Sequence, residues 1–118
     1  MGAKYQELKV WQKAMDLVVE IYALLKLLPK EEMYALSDQM RRAAVSIPSN
    51  IAEGQQRLSE KEFSNFLSFS RGSVAELETQ LLICVKLGYL TSDQVQKPLE
   101  HCREIGLMLS AMINKFKK

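Results

Sequence analysis

Leu36-Ser37-Asp38-Gln39-Met40-Arg41-Arg42-Ala43-Ala44-Val45-Ser46-Ile47-Pro48-Ser49-Asn50-Ile51-Ala52-Glu53-Gly54 is the stretch whose reading decides the fold. At the α-helical step of ~100° per residue, Leu36, Met40, Ala43, Ala44, Ile47, Ile51 and Gly54 share one apolar arc. Gln39, Arg42, Ser46, Ser49, Asn50 and Glu53 form a polar stripe. Val45, Pro48 and Ala52 make a second, smaller apolar strip, with Arg41 at its edge. An ordinary surface helix carries one apolar stripe and charge elsewhere. Two apolar strips with a narrow polar seam predict a helix covered on two sides. Its own bundle would cover one, and a second surface, such as another copy of the chain, the other.

Pro48 tests that reading. A proline inside a helix removes one backbone donor and crowds the carbonyl four residues back, that of Ala44, at a cost of ~3 kcal/mol. Ser46 and Ser49 flank the break and are placed to satisfy freed backbone groups. The competing reading ends the helix at Pro48 and starts another with Ser49 as its cap. Gly54 is the more natural stop, so a kinked but continuous helix is expected.

Length and composition bound the rest. A chain of 118 residues is read as a single domain, 1–118. With 47% hydrophobic and 25% charged residues it has the balance of an ordinary globular protein. Five glycines and three prolines leave little room for the turns of an all-β fold. The net charge of +2 does not announce a nucleic-acid binder, so any basic patch must come from local clustering. Cys84 and Cys102 lack metal-ligand spacing, and with no signal peptide they suggest reduced thiols in the cytoplasm. Nothing approaches the ~20 apolar residues needed to cross a bilayer.

Outward from the central helix, the pattern predicts three more. Met1 to Gln6 reads as frayed. Helix 1 spans about 8–27, with Leu8, Trp11, Met15, Val18, Tyr22 and Leu25 at three and four spacing. Ala14, Leu17, Ile21, Leu24 and Leu28 widen that face well beyond a strict seam, and Pro29 stops it. Trp11 reads as a large core residue at the bundle end in preference to a platform for a base. After a link at 30–35, helix 2 covers 37–54, with Ser37 as its N-cap and Gly54 as its stop. Helix 3, 59–87, opens on Ser59-Glu60-Lys61-Glu62, a capping box. Its core face is Phe63, Leu67, Ser70, Val74, Leu77, Leu81, Cys84 and Val85.

Ser64, Ser68, Gly72, Ala75 and Thr79 form a stripe of small residues on helix 3 that would let another helix approach closely. Phe69, Glu76 and Ile83 line up on yet another side and read as an interface. Gly88 ends helix 3. Helix 4, 92–116, carries a second capping box in Thr91 and Gln94, and Pro98 sits deep enough to loosen its first turn. Its seam is Val95, Leu99, Cys102, Gly106, Leu109, Ile113 and Phe116. Lys115, Lys117 and Lys118 suit the dipole at its end. Four helices on short links make an all-α, antiparallel up-down four-helix bundle.

The inventory is poor for catalysis. His101 is the only histidine, and on a helix its neighbour Cys102 points about 100° away. No phosphate loop and no histidine pair four apart is present, and the bundle carboxylates Glu53, Glu76 and Glu78 lack the Glu-x-x-His pairs of a di-iron site. We therefore expect no enzyme, cofactor, metal or small-molecule substrate. Basic residues fall at Arg41 and Arg42, at Arg57 with Lys61, and at Arg71. Guanidinium groups grip phosphates bidentately. Ion pairing to nearby carboxylates is the competing role for Arg41 and Arg42, and a solvated surface that for Arg57 and Lys61.

The motifs also carry a likeness. Trp11-Gln12-Lys13-Ala14, the run from Gln39 to Gly54, Glu62-Phe63-Ser64-Asn65-Phe66-Leu67, Gly72-Ser73-Val74-Ala75-Glu76-Leu77-Glu78-Thr79-Gln80-Leu81 and Leu87-Gly88-Tyr89-Leu90 closely resemble the 23S rRNA intervening-sequence protein family. The resemblance implies a four-helix-bundle protomer of a homopentameric ring without established biochemical activity. It further implies similarity to the accessory variability determinant of diversity-generating retroelements, a basic pentamer that binds nucleic acid and its reverse transcriptase. The expected partners are thus the chain itself and RNA or a nucleoprotein, through Arg41, Arg42, Arg57, Lys61 and Arg71. Val45, Pro48, Ala52, Phe69, Glu76 and Ile83 are the candidate subunit contacts. A scaffold ring that binds another protein and no nucleic acid is the alternative.

Overall fold

The computed structural model describes residues 4–116; Met1, Gly2, Lys117 and Lys118, to which the sequence reading gave roles, lie outside them. Helices α1 (Lys9–Leu25), α2 (Leu36–Gln55), α3 (Glu60–Lys86) and α4 (Ser92–Lys115) pack side by side, each against its neighbours in sequence and α4 against α1. Matched pairs run in opposite directions along each seam. Met40 faces Cys84 and Ser46 faces Ser73 between α2 and α3, while Lys13 faces Glu104 and Glu20 faces His101 between α1 and α4. The bundle is therefore antiparallel. Its 44 Å long axis is the length of α3 plus its turns, at 1.5 Å per residue.

Pro48 sits inside an unbroken α2. The backbone around it is held by Ser46 Oγ donating to Ala43 O (2.8 Å), Asn50 Nδ2 to Ser46 O (2.8 Å) and Ser70 Oγ, from α3, to Ile47 O (2.8 Å). These bonds brace the turns around Pro48, but they fall on the carbonyls of Ala43, Ser46 and Ile47 and not on that of Ala44, which the proline frees, so Ser46 does not play the expected part and Ser49 is not among the donors. Met40, Ala43, Ala44, Ile47, Ile51 and Gly54 are buried, as the main apolar arc requires.

Several local expectations are corrected. Lys4–Glu7 is a 3₁₀ turn, not a frayed end, with Tyr5 edge-on to Trp11 at 5.4 Å and Gln12 Nε2 on Gln6 O. Ser37 is buried in the first turn of α2 and does not cap it; the Leu36 amide donates to Glu32 Oε1 instead. Only half of the first capping box forms, with Ser59 accepting from the Glu62 amide, whereas Thr91 and Gln94 complete theirs. That box keeps the first turn of α4 regular, and Pro98 is buried within it. Gly88, at φ 79°, is the left-handed stop of α3.

Gly54 does not stop α2. It is buried one residue before the end, and a Cβ there would lie 2.5 Å from Phe66 Cβ and 3.0 Å from Phe63 Cδ1. Among the glycines it is Gly54, not Gly72 of the small-residue stripe, that another helix of the protomer approaches closely. Gly72 has open space around it, and Ala75 and Thr79 are exposed. Phe66 Cβ cannot swing away as a side-chain tip would. Gly54→Ala should therefore destabilise the fold by about 1–3 kcal/mol through overpacking. Gly106→Ala meets only Val74 at an ordinary 3.8 Å and should stabilise by up to ~1 kcal/mol through helix propensity. Urea unfolding midpoints of the two variants, shifted in opposite directions, would check this.

Candidate interaction site

The inward face of α1 is Val10, Ala14, Leu17, Ile21 and Leu25. That leaves the leading sequence face displaced outward: Met15 and Tyr22 are exposed, and Trp11 and Val18 half-buried. Trp11 packs against the edge of the core, as expected, and its outer side also walls a surface groove. The groove runs between α1 and α2. Trp11, Met15 and Val18, with Tyr5 ahead of them, form one wall; Val45, Pro48 and Ala52 form the other, enclosing about 370 Å³. The sequence reading placed α2's side of this groove as an interface but assigned its α1 side to the core. The usable signal was the excess width of helix 1's apolar face, too broad for one seam.

Val45 also borders a second recess of about 490 Å³, lined by Tyr22, Asp38, Arg41, Arg42 and Ser46. Tyr22 and Arg41 continue into a third of about 320 Å³ that adds Leu25, Leu28 and Met33. Apolar side chains line the first recess; the second sets Arg41 and Arg42 beside Asp38, and the third adds Lys26 and Lys30 to its apolar residues. Phe69, Glu76 and Ile83 do not join the groove. They stand exposed along α3, beyond the polar stripe of α2.

The five candidate phosphate-binding residues are not gathered either. Arg41 Nη2 donates to Met33 O at 2.9 Å and lies 3.9 Å from Asp38, holding the loop before α2. Arg42 Nε reaches Asp38 Oδ2 at 3.0 Å but keeps 79% of its side chain exposed. Arg57 pairs with Glu53 at 2.7 Å, its guanidinium 4.8 Å over the Phe66 ring. It stands just past the end of α2, and the run of that helix from Arg42 to Gln55 is about 20 Å long. Lys61 is exposed beside it at the start of α3, and Arg71 turns toward α4, 3.3 Å from Ser110 Oγ. Exposed pairs of this kind contribute at most ~1 kcal/mol, so they orient the arginines more than they stabilise the fold.

The reactive side chains are committed to packing and pairing. His101 Nδ1 meets Glu20 Oε1 at 2.8 Å across the α1–α4 seam, while Cys102 beside it is buried. Burial, aided by the charges of Glu78 and Glu20, pushes the Cys102 thiol up to about 12. Burial and then Glu32 also raise Cys84, whose Sγ lies 3.6 Å from Met40 Sδ. The Tyr89 hydroxyl is raised by donating to Glu32 at 2.8 Å. Among the described residues no group of three His, Cys, Asp or Glu side chains could hold a metal ion. No helix among them is long and apolar enough to cross a membrane.

A family model of the 23S rRNA-intervening sequence protein matches residues 6–111. The chain belongs to that family. A protein of unknown function from the S23 ribosomal protein family of Bacteroides thetaiotaomicron VPI-5482 has the same fold in its crystal structure, at a TM-score of 0.82. It is 28% identical over 88% of this chain and 97% of its own. No curated protein matches the chain. The matched region reaches into all four helices, so the exposed α3 face and the groove, apart from Tyr5, lie inside it.

The Cys102 thiol makes a pH dependence. Above the ordinary thiol value of 9.0 the unfolded chain releases this proton, while the folded chain holds it up to about 12. Stability present at neutral pH should therefore be lost as pH climbs through that window. Cys102→Ala should be less stable at pH 7 but lose less on going to alkaline pH, measured as the urea midpoint against pH.

Proposed function

We propose that this protein is a non-enzymatic, self-assembling helical module of the cytoplasm, a homopentameric ring as the family resemblance implies, that serves as a scaffold for a partner. One observation carries the reading. The groove between α1 and α2 leaves Met15, Tyr22 and Val45 each about two-fifths exposed, and Phe69 stands 57% exposed on α3. Large apolar surface of this kind marks association sites in water-facing proteins. The non-enzymatic part is supported by the commitment of His101 to Glu20 and of both thiols to the core.

RNA or a nucleoprotein is the second reading of the partner. What favours it is the exposure of Arg42, Lys61 and Arg71, because a ring repeats each cation around its axis and sums their field. What favours a protein scaffold is the pairing of Arg41, Arg42 and Arg57 within the protomer and the distance of Arg57, past the end of α2, from the other two. Light scattering should return several times the 13.5 kDa of one chain. A monomer would sink the reading. RNA titration of the same sample at two salt concentrations separates the partners, since phosphate binding weakens steeply with salt through counterion release. We expect no such binding; a steep salt dependence would transfer the function to RNA. An Arg41→Ala, Arg42→Ala double variant should lose mass in light scattering if those arginines serve assembly.

A further inference from the structure

Of the three recesses along the groove, the third is lined by cations and by no acid. It lies between the carboxyl end of α1 and the first turn of α2. Tyr22, Leu25, Leu28 and Met33 make its apolar walls, and Lys26, Lys30 and Arg41 stand among them. Its volume of about 320 Å³ falls at the small end of ligand pockets, roughly 300–1,000 Å³. Lys26 and Lys30 are exposed, and neither forms an ion pair among the described residues. The neighbouring acids are turned elsewhere. Asp38 lines the second recess, 3.0 Å from Arg42 and 3.9 Å from Arg41. Glu32 accepts from the Leu36 amide and the Tyr89 hydroxyl, and Glu31, exposed on its short turn, does not line the recess. Arg41 gives Nη2 to Met33 O, and a guanidinium has five N–H donors, so others remain.

Ser37 is an independent sign of a ligand. It is 4% exposed and lines the recess, yet it caps nothing, and its hydroxyl has no hydrogen-bond partner among the described residues. That hydroxyl is not sealed in as the orphaned Gln80 Oε1 is, so it opens into the recess. It also stands in the first turn of α2, whose positive dipole end favours an anion. We infer that this recess binds a small monocarboxylate with an apolar body. The body lies against Tyr22, Leu28 and Met33. The carboxylate lies among Lys26, Lys30 and Arg41 and accepts from the Ser37 hydroxyl. No carboxylate, histidine or thiol lines the recess, so the anion is a ligand and not a substrate. The inference is independent of the assembly reading.

Calorimetric titration of the whole protein tests this, with octanoate and phenylacetate as probes. At least one should bind saturably, one per chain. Acetate, which lacks the body, and octan-1-ol, which lacks the charge, should bind at least about tenfold more weakly. Lys26→Gln with Lys30→Gln in one chain removes two exposed cations without touching the core and should weaken the bound probe by about tenfold. Ser37→Ala should weaken it by a similar factor of about ten, a hydrogen bond to a charged group being lost. If circular dichroism shows that Ser37→Ala does not fold, the lysine variant carries the test. Methyl NMR places the ligand: the Met33 signal should move on binding, while those of Met108 and Met112 on α4 stay still. Neither probe saturating, octan-1-ol binding as tightly, a folded variant binding unchanged, or a still Met33 signal would each overturn the site.

Discussion

Pro48 takes one amide out of α2, yet the helix runs on unbroken where it packs on α3, and that seam orders the rest of the bundle. A polar group left unpaired in a buried seam costs about 1–3 kcal/mol, so a hydroxyl buried there, such as that of Ser70, must find an acceptor. Ser46, Asn50 and Ser70 donate to the carbonyls of Ala43, Ser46 and Ile47, which ties α3 to α2 at the level of the proline. Gly54, two turns on, brings the phenylalanines of α3 against bare backbone. With α3 held this close, Met40, Ile47 and Ile51 are fully enclosed, and the remaining helices pack on the pair. Ser46, Ser70, Ser73 and Gly54 are thus the small residues used where α2 and α3 touch.

The same closeness explains why the molecule carries a groove. Because α2 is drawn toward α3, its opposite flank at Val45, Pro48 and Ala52 is left facing α1 across a partly open trough. Trp11, Met15 and Val18 line that trough without filling it. A narrower seam would have buried them. The apolar area that results is stabilising only when something covers it, and this links packing inside the protomer to association outside it.

The arginines follow a parallel logic. Arg41 is spent on the carbonyl of Met33 and so shapes the loop that leads into α2. Arg42, one residue on and about 100° around the helix, keeps its guanidinium in solvent beside Asp38. Arg57 lies flat on Phe66 with Glu53 at its end, covering a ring that would otherwise be open. Neighbouring residues of one type therefore have separate roles, and it is their angular position on the helix that separates them.

Much of this was legible in the residues alone. Periodicity of 3.6 placed four helices within a few residues of their ends. It also picked the inner arc of α2, from Met40 to Gly54, because that arc is the larger of the helix's two apolar strips. Gly88 and the Thr91–Gln94 box were readable because turn and cap chemistry is local. Helix 1 was not. Its apolar residues cover more than half its circumference, so sequence spacing cannot say whether Val10 or Trp11 turns inward. That choice belongs to the neighbours, since only the positions of α2 and α4 select Val10, Ala14 and Leu17 for the core. The function of Gly54 was hidden for the same reason: a glycine near a helix end looks like a stop until a facing phenylalanine shows that it is a space. Local chemistry, acting between residues a turn apart, was determined by the sequence itself. Which apolar side is enclosed, which arginine is free and where two helices touch were decided by the tertiary structure, because each depends on groups far away in the chain.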